Sequence, residues 1–140
     1  MRAHFVDHPR FASSARRAAL FINLGKYLLD WQNAQTSVRA NGLLKAIWIA
    51  GSFASSAMEP DDIDVSPILD GPKLLEIKGR VGAGRIAELQ GERRERMVRE
   101  YGVEPFPITW WPVTTLRRGE PPRVFCRSYA CDISGWRVDS

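Results

Sequence analysis

The stretch that decides the fold lies between residues 43 and 65. It reads Leu43-Leu44-Lys45-Ala46-Ile47-Trp48-Ile49-Ala50-Gly51-Ser52-Phe53, a small-residue spacer, then Pro60-Asp61-Asp62-Ile63-Asp64-Val65. Its first part is a short, nearly continuous apolar run, which predicts a strand buried on both faces. Residues 52–58 are small and mildly helical, Pro60-Asp61 is typical of a turn, and an extended pattern restarts at Asp62. The stretch therefore predicts a strand, a short helix and a second strand.

The same stretch carries residue types that suit a nucleotide. A strand that ends in Gly51-Ser52 and turns into a helix presents backbone N–H groups where phosphate oxygens are favoured. Glycine at position 51 lets a ligand approach the backbone closely, and the Ser52 hydroxyl adds a donor. Asp62 and Asp64 are two residues apart in a strand, so both carboxylates leave the same face. Such oxygen ligands suit Mg²⁺, and a pair of ions about 4 Å apart is what in-line nucleotidyl transfer requires.

At these residues the chain resembles a known family. The minimal nucleotidyltransferases of the DNA polymerase β-like superfamily combine a hydrophobic strand, Gly-Ser, a spacer and Asp-x-Asp. Here the pattern reads Trp48-Ile49-Ala50-Gly51-Ser52, nine spacer residues, then Asp62-Ile63-Asp64-Val65. Gly-Ser or Pro-Asp-Asp alone is often only a turn, but their order after an apolar strand favours the functional interpretation. The chain is similar to small bacterial members of this superfamily.

The resemblance implies a nucleotidyltransferase fold and a definite reaction. A nucleoside monophosphate passes from a nucleoside triphosphate, ATP first among them, to a hydroxyl acceptor, and pyrophosphate is released. Gly51 and Ser52 would contact the triphosphate, while Asp62 and Asp64 would ligate Mg²⁺ or Mn²⁺. The acceptor is a small molecule, a protein or an RNA end. Small bacterial members often belong to toxin–antitoxin pairs or modify antibiotics, and a protein partner or a homodimer could supply the acceptor-binding surface.

In that family a third acidic residue on a following strand completes the metal site and often acts as the base. Glu104 is the best-placed candidate, because it follows a predicted helix and opens a predicted strand. It is Glu rather than the usual Asp, and Pro105 beside it is expected to disturb the strand. Asp70, Glu76 and Asp132 are poorer alternatives. Without a third ligand, the chain would be a catalytically degenerate module that binds a nucleotide or a partner.

Periodicity along the rest of the chain predicts a small α/β (α+β) domain with a mixed sheet flanked by helices. Helices are predicted over residues 10–33 and about 85–101, the second ending at a Gly102 cap. Strands are predicted from Val103 and over residues 106–111, the latter near a sheet edge. Pro67 predicts that the strand carrying Asp64 is short. We expect one domain over residues 1–140, with a core of about 10–116 and a flexible segment at 1–9.

Composition places the chain among ordinary globular proteins. Of its 140 residues 44% are hydrophobic and 26% charged, and no apolar run approaches the ~20 residues that span a bilayer. The two cysteines, Cys126 and Cys131, and the lack of an apolar leader favour a reducing cytoplasm over a disulfide scaffold. The net charge of +4 favours polyanionic partners such as triphosphates or RNA.

Two further motifs leave alternatives open. The glycine-rich segment 79–85 lacks the Lys-Ser/Thr ending of a phosphate loop, so we expect a flexible connection in which Arg80 or Arg85 at most touches phosphates. Of Trp110 and Trp111, an alternating strand would bury one and leave the other to stack a base or acceptor ring. A basic RNA-binding protein with incidental carboxylates is a rival hypothesis, and it requires one continuous cationic face formed by Arg80, Arg85, Arg93 and Arg96.

Overall fold

The computed structural model of the chain describes residues 2–112. The helices are α1 (Arg2–Phe5), α2 (Ala15–Ser37), α3 (Gly51–Ala54), α4 (Gly71–Glu76), α5 (Ala83–Gln90) and α6 (Arg94–Tyr101), with a 3-10 turn at Pro9–Phe11. The strands are β1 (Leu44–Ala50), β2 (Ile63–Asp70), β3 (Val103–Pro105) and β4 (Ile108–Trp110). These elements form a mixed sheet with helices, so the predicted fold class is confirmed. Among the described helices, none has both the length and the apolar composition needed to cross a membrane.

Strand β2 is the centre of the sheet. It pairs antiparallel with β1, so that Ala50 lies opposite Asp64. On its other side it pairs parallel with β3 along residues 63–65 and with β4 along residues 68–70. Strands β3 and β4 therefore lie end to end along β2, separated by Phe106 and Pro107. The strand predicted over residues 106–111 is β4 preceded by this break.

Pro67, which was expected to shorten β2, faces the break between β3 and β4. The carbonyl oxygen of Val65 accepts a hydrogen bond of 2.8 Å from the N–H of Phe106, so the backbone groups of odd-numbered residues in β2 face β3 and β4. Pro67 has the same parity, and its ring nitrogen faces the gap between those two strands, where no ladder bond is lost. The prediction of a short strand is wrong, and β2 runs for eight residues.

Side chains alternate along β2 between two different environments. Ile63, Val65 and Leu69 are buried, whereas the even-numbered residues are only partly buried. The buried face packs against helices α2, α5 and α6 through a shared core. That core includes Leu20, Leu24, Tyr27, Trp31, Leu43, Phe53, Ile86, Leu89, Met97 and Val103. The helices thus cover one face of the sheet, and the acidic residues of β2 belong to the other.

Strand β1 is not buried on both faces, contrary to the sequence-based expectation. Leu44, Ile47 and Ile49 pack against the core, but Trp48 is 63% exposed and Ala50 is also exposed. Within the described residues β1 is paired on one side only, with β2. The continuous apolar run therefore forms a strand with only one buried face, since Trp48 lies on the face that also carries Asp64.

Helix boundaries differ from the predicted ones where a specific cap decides them. Helix α2 begins after Ser14, whose hydroxyl accepts a 3.1 Å hydrogen bond from the N–H of Arg17, and it continues to Ser37. The helix predicted over about 85–101 is two helices, because Gly91 adopts φ 100° and ends α5. Gly102, at φ 63°, ends α6 as predicted.

Gly71-Pro72, a dipeptide typical of a chain break, is the first turn of α4. The Asp70 carboxylate caps this helix by accepting a 3.1 Å hydrogen bond from the N–H of Lys73. Proline in the first turn of a helix loses no intrahelical bond, so Pro72 starts the helix instead of preventing it.

The N-terminal residues, expected to be flexible, pack against the domain. Val6 and Phe11 are buried, and the ring of Phe5 stacks on Phe53 with 5.6 Å between ring centroids. Phe53 belongs to α3, so this contact places the start of the chain against the short helix that follows β1.

A buried arginine joins these parts. Arg17 of α2 is fully buried, and its guanidinium donates hydrogen bonds to the carbonyl oxygens of Phe5 (3.1 Å), Phe53 (2.9 Å), Ser55 (3.0 Å) and Ala57 (2.9 Å). A second bond to Ala57 uses the fifth N–H, so every donor of the fork has a carbonyl partner. Burial lowers the pKa of Arg17. This one side chain orders the backbone that leaves α3.

The neighbouring arginine ties down the rest of the spacer. The side chain of Arg16, which is exposed, donates to the carbonyl oxygens of Pro60 (3.2 Å) and Asp61. Together Arg16 and Arg17 attach the spacer between Gly-Ser and Asp-x-Asp to the first turn of α2. The geometry of the spacer therefore depends on a helix that lies far away in sequence.

Replacing Arg17 by Met should destabilise the domain by about 3 kcal/mol, because the carbonyl oxygens that accept from its guanidinium lose a charged donor. Arg16→Met, which removes an exposed arginine from the same turn, should change stability by less than about 1 kcal/mol. Urea unfolding of both variants and the wild type tests this difference. Equal stability of the two variants would contradict the role given to Arg17.

Candidate functional site

The candidate site is built around the contact between Gly51 and Asp64. Gly51 adopts φ 71°, in the left-handed region, and it follows Ala50, which lies opposite Asp64 in the β1–β2 ladder. A Cβ at position 51 would lie only 1.8 Å from Asp64 Oδ2 and 2.8 Å from Cγ. The Asp64 carboxylate therefore occupies the space that any other residue's side chain would need. Glycine is required here twice, for its backbone angle and for its missing side chain.

Asp62 and Asp64 lie on the same face of the sheet, as the spacing predicted. Ile63 between them is fully buried, while both aspartates are partly exposed. Burial and, secondarily, the negative charge of Asp62 raise the pKa of Asp64 above its ordinary value. Asp62 and Asp64 together form a local concentration of negative charge, which a divalent cation would offset.

The start of α3 gives the second half of the site. Gly51 and Ser52 open this helix, both are exposed, and the preceding Ala50 offers no side-chain cap to the first N–H groups. Helix α3 is only one turn long, so its dipole is small, and the individual N–H groups matter more than the dipole. Gly51 contacts the Asp64 carboxylate, and Ser52 is the next residue of the helix, so the start of α3 lies beside that carboxylate.

Glu104, the predicted third carboxylate, lies beside Asp64 on the neighbouring strand, and its carboxylate is close to Arg94. Its Cα pairs with that of Asp64 in the parallel β2–β3 ladder, and Val103 and Pro105 on either side are buried. Its side chain therefore points to the same face as Asp64. Glu104 Oε1 lies 3.9 Å from Nη1 of Arg94. Within residues 2–112, no group of three or more His, Cys, Asp or Glu side chains is arranged to hold a metal ion.

Pro105 does not prevent formation of the strand that was predicted from Val103. Residues Val103–Pro105 form β3, and Pro105 pairs with Val65 at its end. Of the poorer candidates for a third ligand, Asp70 caps α4 and lies 3.4 Å from Lys45 Nζ at the far end of β2. Glu76 is exposed at the end of α4. Asp132 lies outside the described residues, as do Cys126 and Cys131.

The aromatic candidates lie along the same open face at different distances from the carboxylates. Trp110 is 39% exposed and pairs with Asp70, and Lys45 Nζ lies 4.4 Å from its ring centroid. The Trp111 ring packs against Gly71. Trp48, opposite Ser66, is more exposed than Trp110 and nearer to Asp64 in the register. The sequence pointed to Trp110 and Trp111 for stacking, whereas Trp48 is the indole nearer to the carboxylates.

The glycine-rich segment is a connection with structural arginines. Arg80 donates to the carbonyl oxygen of Val38 at 3.1 Å. Arg85 donates hydrogen bonds to Glu88 on its own helix, α5, and to Asp30 of α2 and Tyr101 of α6.

Arg17 is the supporting residue that sequence reasoning missed. A signal was present, since Arg17 stands at helical spacing before Leu20 and Leu24 and so falls on the apolar, buried stripe of α2. A charged residue in that register predicts a buried hydrogen-bonding role. Its carbonyl partners could not have been identified, because they belong to loop backbone.

The chain belongs to a family of unknown function, DUF6932, whose model matches residues 2–129. No curated protein and no solved structure matches the chain.

Gly51→Ala should damage both the fold and the site. The left-handed backbone angle costs about 1–2 kcal/mol for an alanine, and the new Cβ must also displace the Asp64 carboxylate. We expect loss of divalent-cation binding, measured by Mn²⁺ titration, together with lower stability in urea.

Gly25→Ala is the matched control for that substitution. Gly25 lies inside α2, and beyond the backbone of its own helix no atom lies within 4 Å of the position that a Cβ would take. This change should raise stability by about 0.5–1 kcal/mol and leave Mn²⁺ binding unaltered. A Gly51→Ala protein that binds Mn²⁺ like the wild type would remove Gly51 from the site.

Asp64→Asn should stabilise the metal-free protein at neutral pH. The pKa of Asp64 is raised in the folded state, so its ionised form opposes folding above that pKa, and the opposition disappears below the unfolded value of about 3.9. The Tm of the Asn variant should exceed that of the wild type at pH 7, and the difference should shrink as the pH falls towards 3. Thermal unfolding across this range, with exposed Asp61→Asn as control, measures it. A gain independent of pH would contradict the electrostatic cause.

Proposed function

We propose that this member of DUF6932 is a nucleotidyltransferase that depends on Mg²⁺ or Mn²⁺. It transfers a nucleoside monophosphate from a nucleoside triphosphate, ATP first among the candidates, to a hydroxyl acceptor. The observation that carries the proposal is the packing of the Asp64 carboxylate against Gly51 at the start of α3, with Asp62 on the same face of the sheet. This contact supports the proposal because Gly-Ser and Asp-x-Asp lie close together, as the resemblance to the polymerase β-like enzymes leads one to expect.

Each residue has a role in the proposed reaction. The backbone N–H groups of Gly51 and Ser52, with the Ser52 hydroxyl, orient the phosphate oxygens. Asp62 and Asp64 fit a divalent cation because they offer hard oxygen donors from one face, with substrate phosphates filling further positions. Once bound, the cation neutralises charge on the phosphates. Glu104 is the proposed third carboxylate, provided that it turns from Arg94.

The bonds that form and break are those of an in-line phosphoryl transfer. The acceptor hydroxyl oxygen forms a bond to the α-phosphorus, and the bond from this phosphorus to the oxygen bridging to the β-phosphorus breaks. Pyrophosphate leaves with that oxygen, and a carboxylate of the site takes the hydroxyl proton. Positioning and charge neutralisation are the protein's main contributions.

A nucleotide-binding or partner-binding module without turnover is the second candidate. It is favoured by the closeness of Glu104 to Arg94, since within residues 2–112 no three carboxylates are grouped to hold a metal ion. In a toxin–antitoxin pair, such a module would bind a partner protein while keeping the Gly-Ser and Asp-x-Asp elements.

The rival proposal of a basic RNA-binding protein receives less support. Arg80, Arg85 and Arg96 are hydrogen-bonded to other parts of the domain, and Arg96 lies 3.0 Å from Glu88 and 2.7 Å from Glu100. A continuous cationic face needs arginines directed at solvent.

The acceptor, the partner and the cellular location also belong to the proposal. The acceptor is a small molecule, a protein or an RNA end, and the domain's small size leaves room for a protein partner or a second copy to bind it. Cytoplasmic action agrees with the use of nucleoside triphosphates as donors.

Asp62→Asn and Asp64→Asn should each lower nucleotide transfer by about 100-fold or more, since each removes a ligand charge from the cation site. The purified protein is incubated with each α-labelled nucleoside triphosphate, Mg²⁺ or Mn²⁺, and cell extract as the acceptor source. Label transfer and pyrophosphate release are measured. Asp61→Asn changes the same charge at the adjacent, exposed position and should retain activity.

The outcomes separate the candidates. Transfer that survives Asp61→Asn and is lost in the other two variants supports the enzyme and identifies the donor base. Metal-dependent nucleotide binding without transfer supports the module. Absence of both in the wild type would refute the site assignment.

A further inference from the structure

Arg94 reaches the sheet face that carries the two aspartates. It is the first residue of α6, a helix packed on the opposite, core-facing side of the sheet. Its Nη1 nonetheless lies 3.9 Å from Glu104 Oε1, and its Cζ lies 4.5 Å from the centroid of the Phe106 ring. Both contacts place the Arg94 guanidinium beside β3, whose Glu104 lies between the buried residues Val103 and Pro105. A cation is thereby brought to the open face one strand away from Asp64.

The contact that holds Arg94 there is weak. A separation of 3.9 Å is too long for a hydrogen bond, and the Arg94 and Glu104 side chains are 44% and 30% exposed. Exposed pairs of this kind contribute little to stability. Arg17, in contrast, has a carbonyl partner for every N–H, and Arg85 and Arg96 make hydrogen bonds of 2.6–3.2 Å. The Glu104 carboxylate and the Phe106 ring position Arg94. Breaking the contact between Arg94 and Glu104 costs little free energy, so Glu104 can take another cation as its partner.

We propose that Arg94 binds phosphate oxygens of the nucleotide, and that Glu104 exchanges Arg94 for the cation held by Asp62 and Asp64 when the nucleotide binds. This inference rests on the proposed nucleotide site and assigns its phosphate-binding side chain. A guanidinium offers two parallel N–H donors to a phosphate. Arg94 can therefore leave the Glu104 carboxylate for a phosphate and still have an anion as its partner. Before the nucleotide arrives, Arg94 is the charge partner of Glu104.

The proposal predicts that two affinities respond differently to the removal of Arg94. Arg94→Ala should weaken binding of the nucleoside triphosphate with Mg²⁺ by about ten-fold or more, the loss expected for charge-assisted hydrogen bonds to one phosphate. Arg94→Lys should lose less, because the ammonium keeps the charge without the fork. Binding of Mn²⁺ alone should stay equal or become tighter, because a cation is removed from beside its carboxylate ligands. A merely structural role for Arg94 would weaken both.

The matched control is Arg99→Ala, which removes the same charge from an exposed position on the same helix. ATP, GTP, CTP and UTP are titrated by calorimetry with Mg²⁺, and free Mn²⁺ is followed by electron paramagnetic resonance. Loss of nucleotide affinity in Arg94→Ala alone, with Mn²⁺ binding retained, supports the proposal. Equal nucleotide affinities of the two alanine variants, or parallel loss of nucleotide and Mn²⁺ binding, overturn it. A wild type that binds none of the four nucleotides refutes the proposed function itself, a result distinct from either of those.

Discussion

The guanidinium of Arg17 lies in the interior of the domain with each N–H directed at a backbone carbonyl oxygen. A buried charge of this kind is tolerated only when its donors are all satisfied. The carbonyls of Phe53, Ser55 and Ala57 come from a loop with little regular structure, so the arginine imposes a geometry that loop residues alone would not hold. Arg16 extends this attachment to Pro60 and Asp61. The position of Gly51 relative to Asp64 follows, because α3 and the start of β2 are the two ends of that loop.

The sheet adds a second constraint through the alternation of β2. Burying Ile63, Val65 and Leu69 beneath the helices forces Asp62 and Asp64 to the opposite face, since side chains alternate along a strand. A slip of one residue would bury both carboxylates, so the register is strongly specified. Pro67 is compatible with this register, because its ring nitrogen faces the gap between β3 and β4. One pairing pattern thus determines the core and the shared face of the aspartates together.

Local rules predicted the parts that depend on neighbours in sequence. The order of strand, short helix and strand, the Gly102 cap and the common face of Asp62 and Asp64 all follow from periodicity and turn chemistry. Partners distant in sequence were not predictable. The apolar run of β1 could not reveal that Trp48 points to an open face, because hydrophobicity does not say which element covers a side chain. In the same way Glu104 was placed on the correct strand, but its contact with Arg94 depends on how α6 packs beneath β3.

The need for glycine in the turn does not explain why a carboxylate packs against Gly51, whereas binding of a cation would explain it. A turn at this point needs a residue that adopts a left-handed angle, and glycine supplies it without any carboxylate nearby. Asp64 adds an ionised group whose charge is disfavoured by burial and by Asp62, and within residues 2–112 neither aspartate makes a salt bridge. An asparagine could fill the same space without that penalty. A cation that binds only the folded site would convert the penalty into stabilisation by mass action, which gives the two carboxylates a physical reason to stand together.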